Sequence, residues 1–507
     1  MAAEVILRAL RLSVVLLAVC VSLSSNREEG DVGSLVVTIL SQADGYHSAR
    51  AREKKENWLE KLSILDQQIQ AVLLAHELPV RVTWTVVPLL PHLAEHYPEA
   101  SWFFFANEET VVDFELLRTA LKRFDDTKVW FLGHGLQDQK RTIIHHYMYH
   151  TGTESISYPN FASGWLLSGP ALKRAAENVA LFAPDFNIDP PFELALFLKY
   201  MRTLDVQETI AIPPIGDSGG YLLTHVPQLC MEPALTQGCA TAYSHHIPSC
   251  GDVEVSKLFI GVKTCEKYHS TRLPVVQGTW ARDAEGSVAY YSEVEDKQFL
   301  TTDIGVPNTE SGHCGKMMAI IERFQAIPEL RGREWLVIAD DDTLLSVPRL
   351  RRLLACYSSH QPILLGEVYG YHAVRPSGYS YVTGGGGMVL SRRAVEMITE
   401  SGVMCPQDNT PDDMFLGRVA VGLGIHIVHS PLFHQAQPDT FHPSILALQT
   451  PVSFHRHRPV DPYTVYQDYL NQSSMAGTDT GSAEDSSSKR GSKQPQTPGN
   501  KPGKTEL

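Results

Sequence analysis

Short runs in which nearly every residue is apolar recur along the chain, among them LVVTIL from Leu35, SWFFFA from Ser101, LFIGV from Leu258 and WLVIA from Trp335. Between them lie longer stretches, such as FELLRTALKRF and VPRLRRLLACY, whose apolar residues return at intervals of three and four. A run that is apolar at every position suits a strand buried on both faces, and the longer stretches carry the stripe of an amphipathic helix. Their alternation predicts an α/β fold with a mostly parallel sheet.

The order of elements occurs twice. Residues 35–50 and 258–272 share Tyr-His-Ser-x-Arg after a strand, and SWFFFANEET is answered by EWLVIADDDT. In the same order, WFLGHG is answered by ILLGEV, YPNFASGWLLS by YSYVTGGGGMVLS, and IDPPFELAL by NTPDDMFLG. Five matches in one order imply two copies of one Rossmann-like α/β domain, residues 34–228 and 256–470, joined by a Cys- and Pro-containing linker, 229–255. The copies part company at polar positions. Asp340, Asp341 and Asp342 become Asn107, Glu108 and Glu109; Asp412 and Asp413 become Pro191 and Phe192; the four glycines from Gly384 become Ala162, Ser163, Gly164 and Trp165. The first copy is therefore degenerate, and chemistry is expected in the second.

In an open α/β sheet, ligands bind outside the carboxyl ends of the strands, which is where the three aspartates fall. Crowded carboxylates suit a hard divalent cation that also takes substrate phosphates; an acidic turn or helix cap is the plainer reading of that motif alone. Gly384, Gly385, Gly386 and Gly387 let backbone pass close to a ligand and turn amides toward phosphate or sugar oxygens. Asp412 and Asp413 precede an apolar run, so they fit a helix start, and one of them is a candidate general base. Histidines follow at His426, His429, His434, His455 and His457, and one of them completing a metal site is the functional reading.

The ends of the chain add an address. Arg8 and Arg11 followed by an apolar run to Leu23 read as a secretory leader over residues 1–25, either cleaved or kept as a type II anchor. Seven cysteines follow Cys20, an odd number with no Cys-x-x-Cys pair, which leaves one thiol over and speaks against a zinc ribbon. A sequon begins at Asn471, and residues 471–507 have too little to bury and are expected to be disordered. They finish in Lys-Thr-Glu-Leu, close to the KDEL retrieval signal and its receptor, which places the body in the lumen of the endoplasmic reticulum. Net charge is −14, which argues against nucleic acid as a partner.

FIGVKTCEKYHSTRLPVVQGTW, WLVIADDDT, YVTGGGGMVLSR, PDDMFLG and SPLFHQ, in this order, resemble the fringe branch of the inverting β1,3-glycosyltransferases. That resemblance implies two tandem GT-A-like domains, the first degenerate, with a UDP-sugar donor and Mn2+ as cofactor. It implies Asp342 as the main metal ligand with Asp340, and Asp413 as the base. Asp341, Thr264, Arg272 and the loop Gly384, Gly385, Gly386, Gly387 would hold the donor. The family has Phe-His-x-His where this chain has Phe433-His434-Gln435-Ala436, so His434 is the expected metal histidine and His455 the alternative. The duplicated layout and the KDEL-like end resemble family members that transfer glucose from UDP-glucose to O-linked fucose on thrombospondin type 1 repeats. Two other readings stand: a different donor, UDP-N-acetylglucosamine or UDP-galactose, or a non-catalytic lectin- or chaperone-like lumenal protein. Removing Lys504 to Leu507 is expected to release the protein into the medium, measured by its distribution between cells and medium; continued retention would favour the anchor.

Overall fold

The structure, a computed structural model, describes residues 33–64, 69–140, 142–146, 156–200, 221–243, 247–456 and 459–471. The leader, the carboxyl-terminal tail with its Lys-Thr-Glu-Leu end, and His457 lie outside them. Among the described residues no helix is long and apolar enough to cross a membrane.

The chain is α/β, with two main sheets. The first contains β1 (Leu35–Leu40), β2 (Ile69–Leu74), β3 (Trp102–Asn107), β4 (Phe131–Gly133), β5 (Trp165–Ser168) and β6 (Leu223–His225), in the order β6-β4-β5-β3-β1-β2. The second contains β7 (Leu258–Lys263), β8 (Val288–Ser292), β9 (Thr301–Asp303), β10 (Trp335–Asp340), β11 (Ile363–Gly366), β12 (Met388–Ser391) and β13 (His426–His429). Its order is β13-β11-β12-β10-β7-β8-β9, the same order with one strand added at the edge. In each sheet one interior strand, β5 or β12, runs antiparallel to both neighbours, and the remaining pairs are parallel.

The all-apolar runs are strands because both of their faces are covered. In β10, Trp335, Val337 and Ala339 enter one core while Leu336 and Ile338 enter the other. In β3, Trp102, Phe104 and Ala106 face away from Phe103 and Phe105 in the same manner. Local chemistry repeats as well: Ser168 and Ser391 each end a strand and cap the next helix, accepting from the backbone N–H of Ala171 and Ala394.

The strand pairing corrects one correspondence. Met388 and Trp165 begin matching strands, and Gly387 (φ +93°) and Gly164 (φ +76°), both at positive φ, precede them. Gly384 to Gly387 thus answer Phe161 to Gly164, one residue earlier than direct comparison of the sequences places them. The expected linker is also partly absorbed. Cys230 and Cys239 form a disulfide, and Thr241–Ala242 pair with Val111–Val112 of the first copy, because that edge offers unpaired backbone groups.

Both copies lie in a single compact unit ending at Asn471. Phe186–Asn187 of the first copy add a strand to the ribbon Val368–Tyr371 and Tyr379–Val382 of the second. Arg81 donates to the carbonyls of Pro376 and Gly378, and Trp84 Nε1 donates to Ser380 Oγ. Further disulfides join Cys250 to Cys356 and Cys314 to Cys405, leaving Cys265 as the free, buried thiol among the described residues. The Cys314–Cys405 bond ties the start of helix Cys314–Ala326 to the loop that leads into helix Asp412–Leu423. Replacing both cysteines by Ser is expected to lower stability by about 2–4 kcal/mol, read from denaturant unfolding.

Candidate active site

Parallel pairing in register makes Lys263 and Asp340, the last residues of β7 and β10, neighbours. Lys263 Nζ lies 2.9 Å from Asp340 Oδ1 and also donates to Asp412 Oδ2 at the start of helix Asp412–Leu423. Burial by itself would pull the ammonium's pKa down, but the two carboxylates outweigh it and hold Lys263 above the usual lysine range. Burial would likewise raise Asp412; Lys263 reverses that and holds it below the usual carboxylate range.

The other aspartates are divided by their partners. Thr264 Oγ1 donates to Asp341 at 2.7 Å and Arg272 Nη1 donates to it at 2.6 Å. Asp341 and Thr264 are both buried, and burial pushes the Asp341 carboxyl up to about 6 against the pull of Arg272 and Thr264. These two residues, expected to hold the donor, are bonded to each other. Asp341 in turn positions Arg272, whose guanidinium also reaches Asp342 at 3.0 Å and covers the Tyr268 ring.

Asp342 Oδ1 lies 3.2 Å from His455 Nε2, and Asp340 Oδ2 lies 3.9 Å from the same nitrogen. Asp340, Asp342 and His455 offer one nitrogen and two oxygens, all within 4.8 Å of one another. One imidazole and two carboxylates fit Mn2+ and similar divalent cations. His455 Nδ1 lies 3.0 Å from the carbonyl of Gln435; donation there fixes the ring and turns Nε2 toward the aspartates. Burial would lower the His455 pKa, but Asp342 and Asp340 outweigh it and raise it.

His434 does not join them. It is buried, stacks on Phe454 with ring centroids 4.7 Å apart, and also packs on Phe441. Burial presses its pKa down to about 3, so it is a neutral core residue. The histidine of the site comes instead from the strand Ser453–His455, which pairs with Thr343–Leu345 immediately after the aspartates.

The glycine loop serves these side chains. A Cβ at Gly385 would sit 2.4 Å from His455 Nδ1, so only glycine leaves room for the ring. Gly384 N–H donates to Asp413 Oδ2 at 3.3 Å, Gly386 N–H to Gln435 Oε1 at 3.0 Å, and Gly387 N–H to Gly384 O at 3.0 Å. The amides of Gly384, Gly386 and Gly387 are thus bonded inside the protein. Asp413 also accepts from its neighbour Met414 N–H at 2.7 Å. Burial, then the charge of Asp412, pushes its carboxyl up to about 6. Asn471 lies at the end of the described chain, its side-chain amide donating to Gln467.

Reasoning from sequence missed Lys263 as the link between the aspartates and the helix. Its signal was available: a lysine closing an otherwise apolar strand, LFIGVK, in a sheet whose next strand closes in Asp.

A fringe-like family model matches residues 253–474. A β-1,3-glucosyltransferase of Mus musculus is 42% identical over 449 residues, covering 88% of this chain and 88% of that protein. The β-1,3-glucosyltransferase of Homo sapiens is 41% identical over 451 residues, covering 88% and 86%. The chain belongs to the fringe-like β-1,3-glucosyltransferase family. It is a glucosyltransferase. The β-1,3-N-acetylglucosaminyltransferase radical fringe of Gallus gallus is 27% identical over 209 residues, covering 36% of this chain and 55% of its own.

Gly385→Ala in the enzyme would drive His455 off its place beside Asp342. The expected result is a loss of Mn2+ affinity of roughly tenfold or more with the circular dichroism spectrum unchanged, measured by Mn2+ titration.

Proposed function

We propose that the enzyme transfers glucose from UDP-glucose, with inversion, to the 3-hydroxyl of O-linked fucose on thrombospondin type 1 repeats in the lumen of the endoplasmic reticulum. One observation carries the reading: the Asp340, Asp342 and His455 group stands beside Asp413, with adjacent glycines lining the two. Gly384 faces the Asp413 carboxylate and Gly385 faces His455.

When bound by Asp340, Asp342 and His455, Mn2+ would offset negative charge on the diphosphate of the donor. The chain's own residues supply the rest. Arg272, fixed by Asp341, adds positive charge at the same strand ends. Asp412 is committed to Lys263, so Asp413 is the carboxylate left to take a proton from the acceptor hydroxyl. A pKa near 6 makes it a stronger base than an ordinary aspartate while leaving it ionised at neutral pH. Attack of the hydroxyl on the anomeric carbon from the face opposite the departing UDP gives the β linkage.

A cavity of about 420 Å³ supports a protein acceptor that touches both copies. Lys140, Phe186 and Ile188 of the first copy line it together with Tyr369, Tyr381 and Gln435 of the second. Gln435 ties this wall to the site through its carbonyl on His455.

A panel of UDP-glucose, UDP-galactose and UDP-N-acetylglucosamine against a fucosylated thrombospondin repeat tests the donor and acceptor, with product mass as the readout. Glucose addition is expected; addition of another sugar, or none, overturns the reading. Asp413→Asn is expected to cut transfer by roughly 100-fold or more while sparing UDP binding. In the intact enzyme kcat/KM should fall as pH drops through about 6, where Asp413 gains its proton. An active Asp413→Asn enzyme would remove Asp413 from the role of base.

A further inference from the structure

The first copy has lost the aspartates, yet the same corner of its fold holds a second group of ligating side chains. Thr110 reproduces the bonds of Thr343: each hydroxyl lies 3.0 Å from the backbone N–H three residues before it and donates at 2.8 Å to a loop carbonyl, Ala162 or Gly385. Arg50 lies 3.1 Å from Glu109, as Arg272 lies 3.0 Å from Asp342. Thr241 donates to Ser163 O as Ser453 does to Gly386 O. Counting two residues on from each, Tyr243 stands where the second copy has His455.

The missing imidazole is replaced from another element. His47, on helix Gly45–Ile64, turns its Nδ1 to Glu108 Oε1, whereas its counterpart His269 is bonded to Ser292 Oγ. His47, Glu108 and Glu109 each place one ligating atom within 4.8 Å of the others. Glu108 is only 5% exposed, and its Oε2 is buried with no hydrogen-bond partner. A buried carboxylate oxygen left bare costs free energy unless something cationic meets it. His47 Nε2 lies 2.9 Å from Tyr357 Oη of the second copy, an outer contact that fixes the ring as second partners fix metal-bound histidines. A cavity of about 500 Å³, lined by Tyr46, Arg50, Lys54, Glu108 and Glu109, borders the group and gives a cation access and room for water ligands.

We propose that His47, Glu108 and Glu109 bind a second divalent cation, of the class that accepts imidazole and carboxylate together, such as Mn2+ or Zn2+. The ligands join the end of β3 to helix Gly45–Ile64, and Tyr357 carries the connection into the second copy. Its role is structural: Phe192, buried against the His145 ring, stands where the second copy has its base, so no carboxylate there serves an acceptor.

The test is cation stoichiometry of the full chain, titrated with Mn2+ alone and Zn2+ alone. The wild-type protein is expected to bind two cations, and His47→Gln with Glu108→Gln one. If the site in the second copy holds no cation, the same pair reads one and zero, so the two readings fail separately. An unchanged count in the double variant overturns the proposal. Should that variant not fold, Glu109→Gln in an Asp342→Asn background decides: a cation retained by Asp342→Asn and weakened roughly tenfold by adding Glu109→Gln supports the site, and absence of any cation from Asp342→Asn overturns it. Tyr357→Phe is expected to weaken the same cation while leaving its stoichiometry intact.

Discussion

One buried ammonium organises the reactive corner of the enzyme. Lys263 sits between Asp340 on β10 and Asp412 at the start of helix Asp412–Leu423. Without it, Asp340, Asp341, Asp342, Asp412 and Asp413 would crowd negative charge at the ends of the strands, and burial would favour their neutral forms. With Lys263 and Arg272 in place, the aspartates are sorted. Asp340 and Asp342 are held toward His455, Asp341 is used to fix Arg272, and Asp412 is fixed so that Asp413 stands apart. The crowding of carboxylates is thus answered largely by the chain itself, and a cation has only the remaining charge to meet.

The duplication shows what this arrangement requires. The first copy keeps the sheet order, the threonine after the third strand, the positive-φ glycine before the antiparallel strand and the arginine beside the acidic pair. It lacks the lysine bridge, since β1 ends in Leu40 where β7 ends in Lys263, and it has Phe192 in place of a base. Loss of the bridge and loss of the second acidic pair belong together, because a buried lysine without its carboxylates would be as costly as the carboxylates without it. The first copy instead contributes a wall of the shared cavity and contacts such as Arg81 on the carbonyls of Pro376 and Gly378.

Much of the fold was legible because an all-apolar run admits few alternatives: LVVTIL, SWFFFA, LFIGV and WLVIA all became central strands. The repeat was legible from the order of its motifs, but the glycine alignment slipped by one residue, since only strand pairing ties Gly164 to Gly387. The aspartates were legible as a group, while their separate tasks were not. Those depend on Thr264, Arg272 and Lys263, which reach them across strands rather than along the sequence. The sequence left the histidine as a choice between His434 and His455 for a similar reason. His434 lies in the stretch that resembles the family motif, yet its neighbours Phe441 and Phe454 enclose it, and the ring that reaches Asp342 arrives on a later strand. Likewise the closeness of Asp413 to Gly384 and of His455 to Gly385 was not legible along the chain.

The claim on which the account turns is that His455, with Asp340 and Asp342, holds the cation used in transfer. It is tested most directly by the Mn2+ concentration needed for half-maximal transfer in His455→Gln and His434→Phe enzymes. The account predicts a rise of roughly tenfold or more for His455→Gln and a wild-type requirement for His434→Phe, which replaces one buried ring by another. A normal requirement in His455→Gln together with a lost one in a folded His434→Phe enzyme would contradict it.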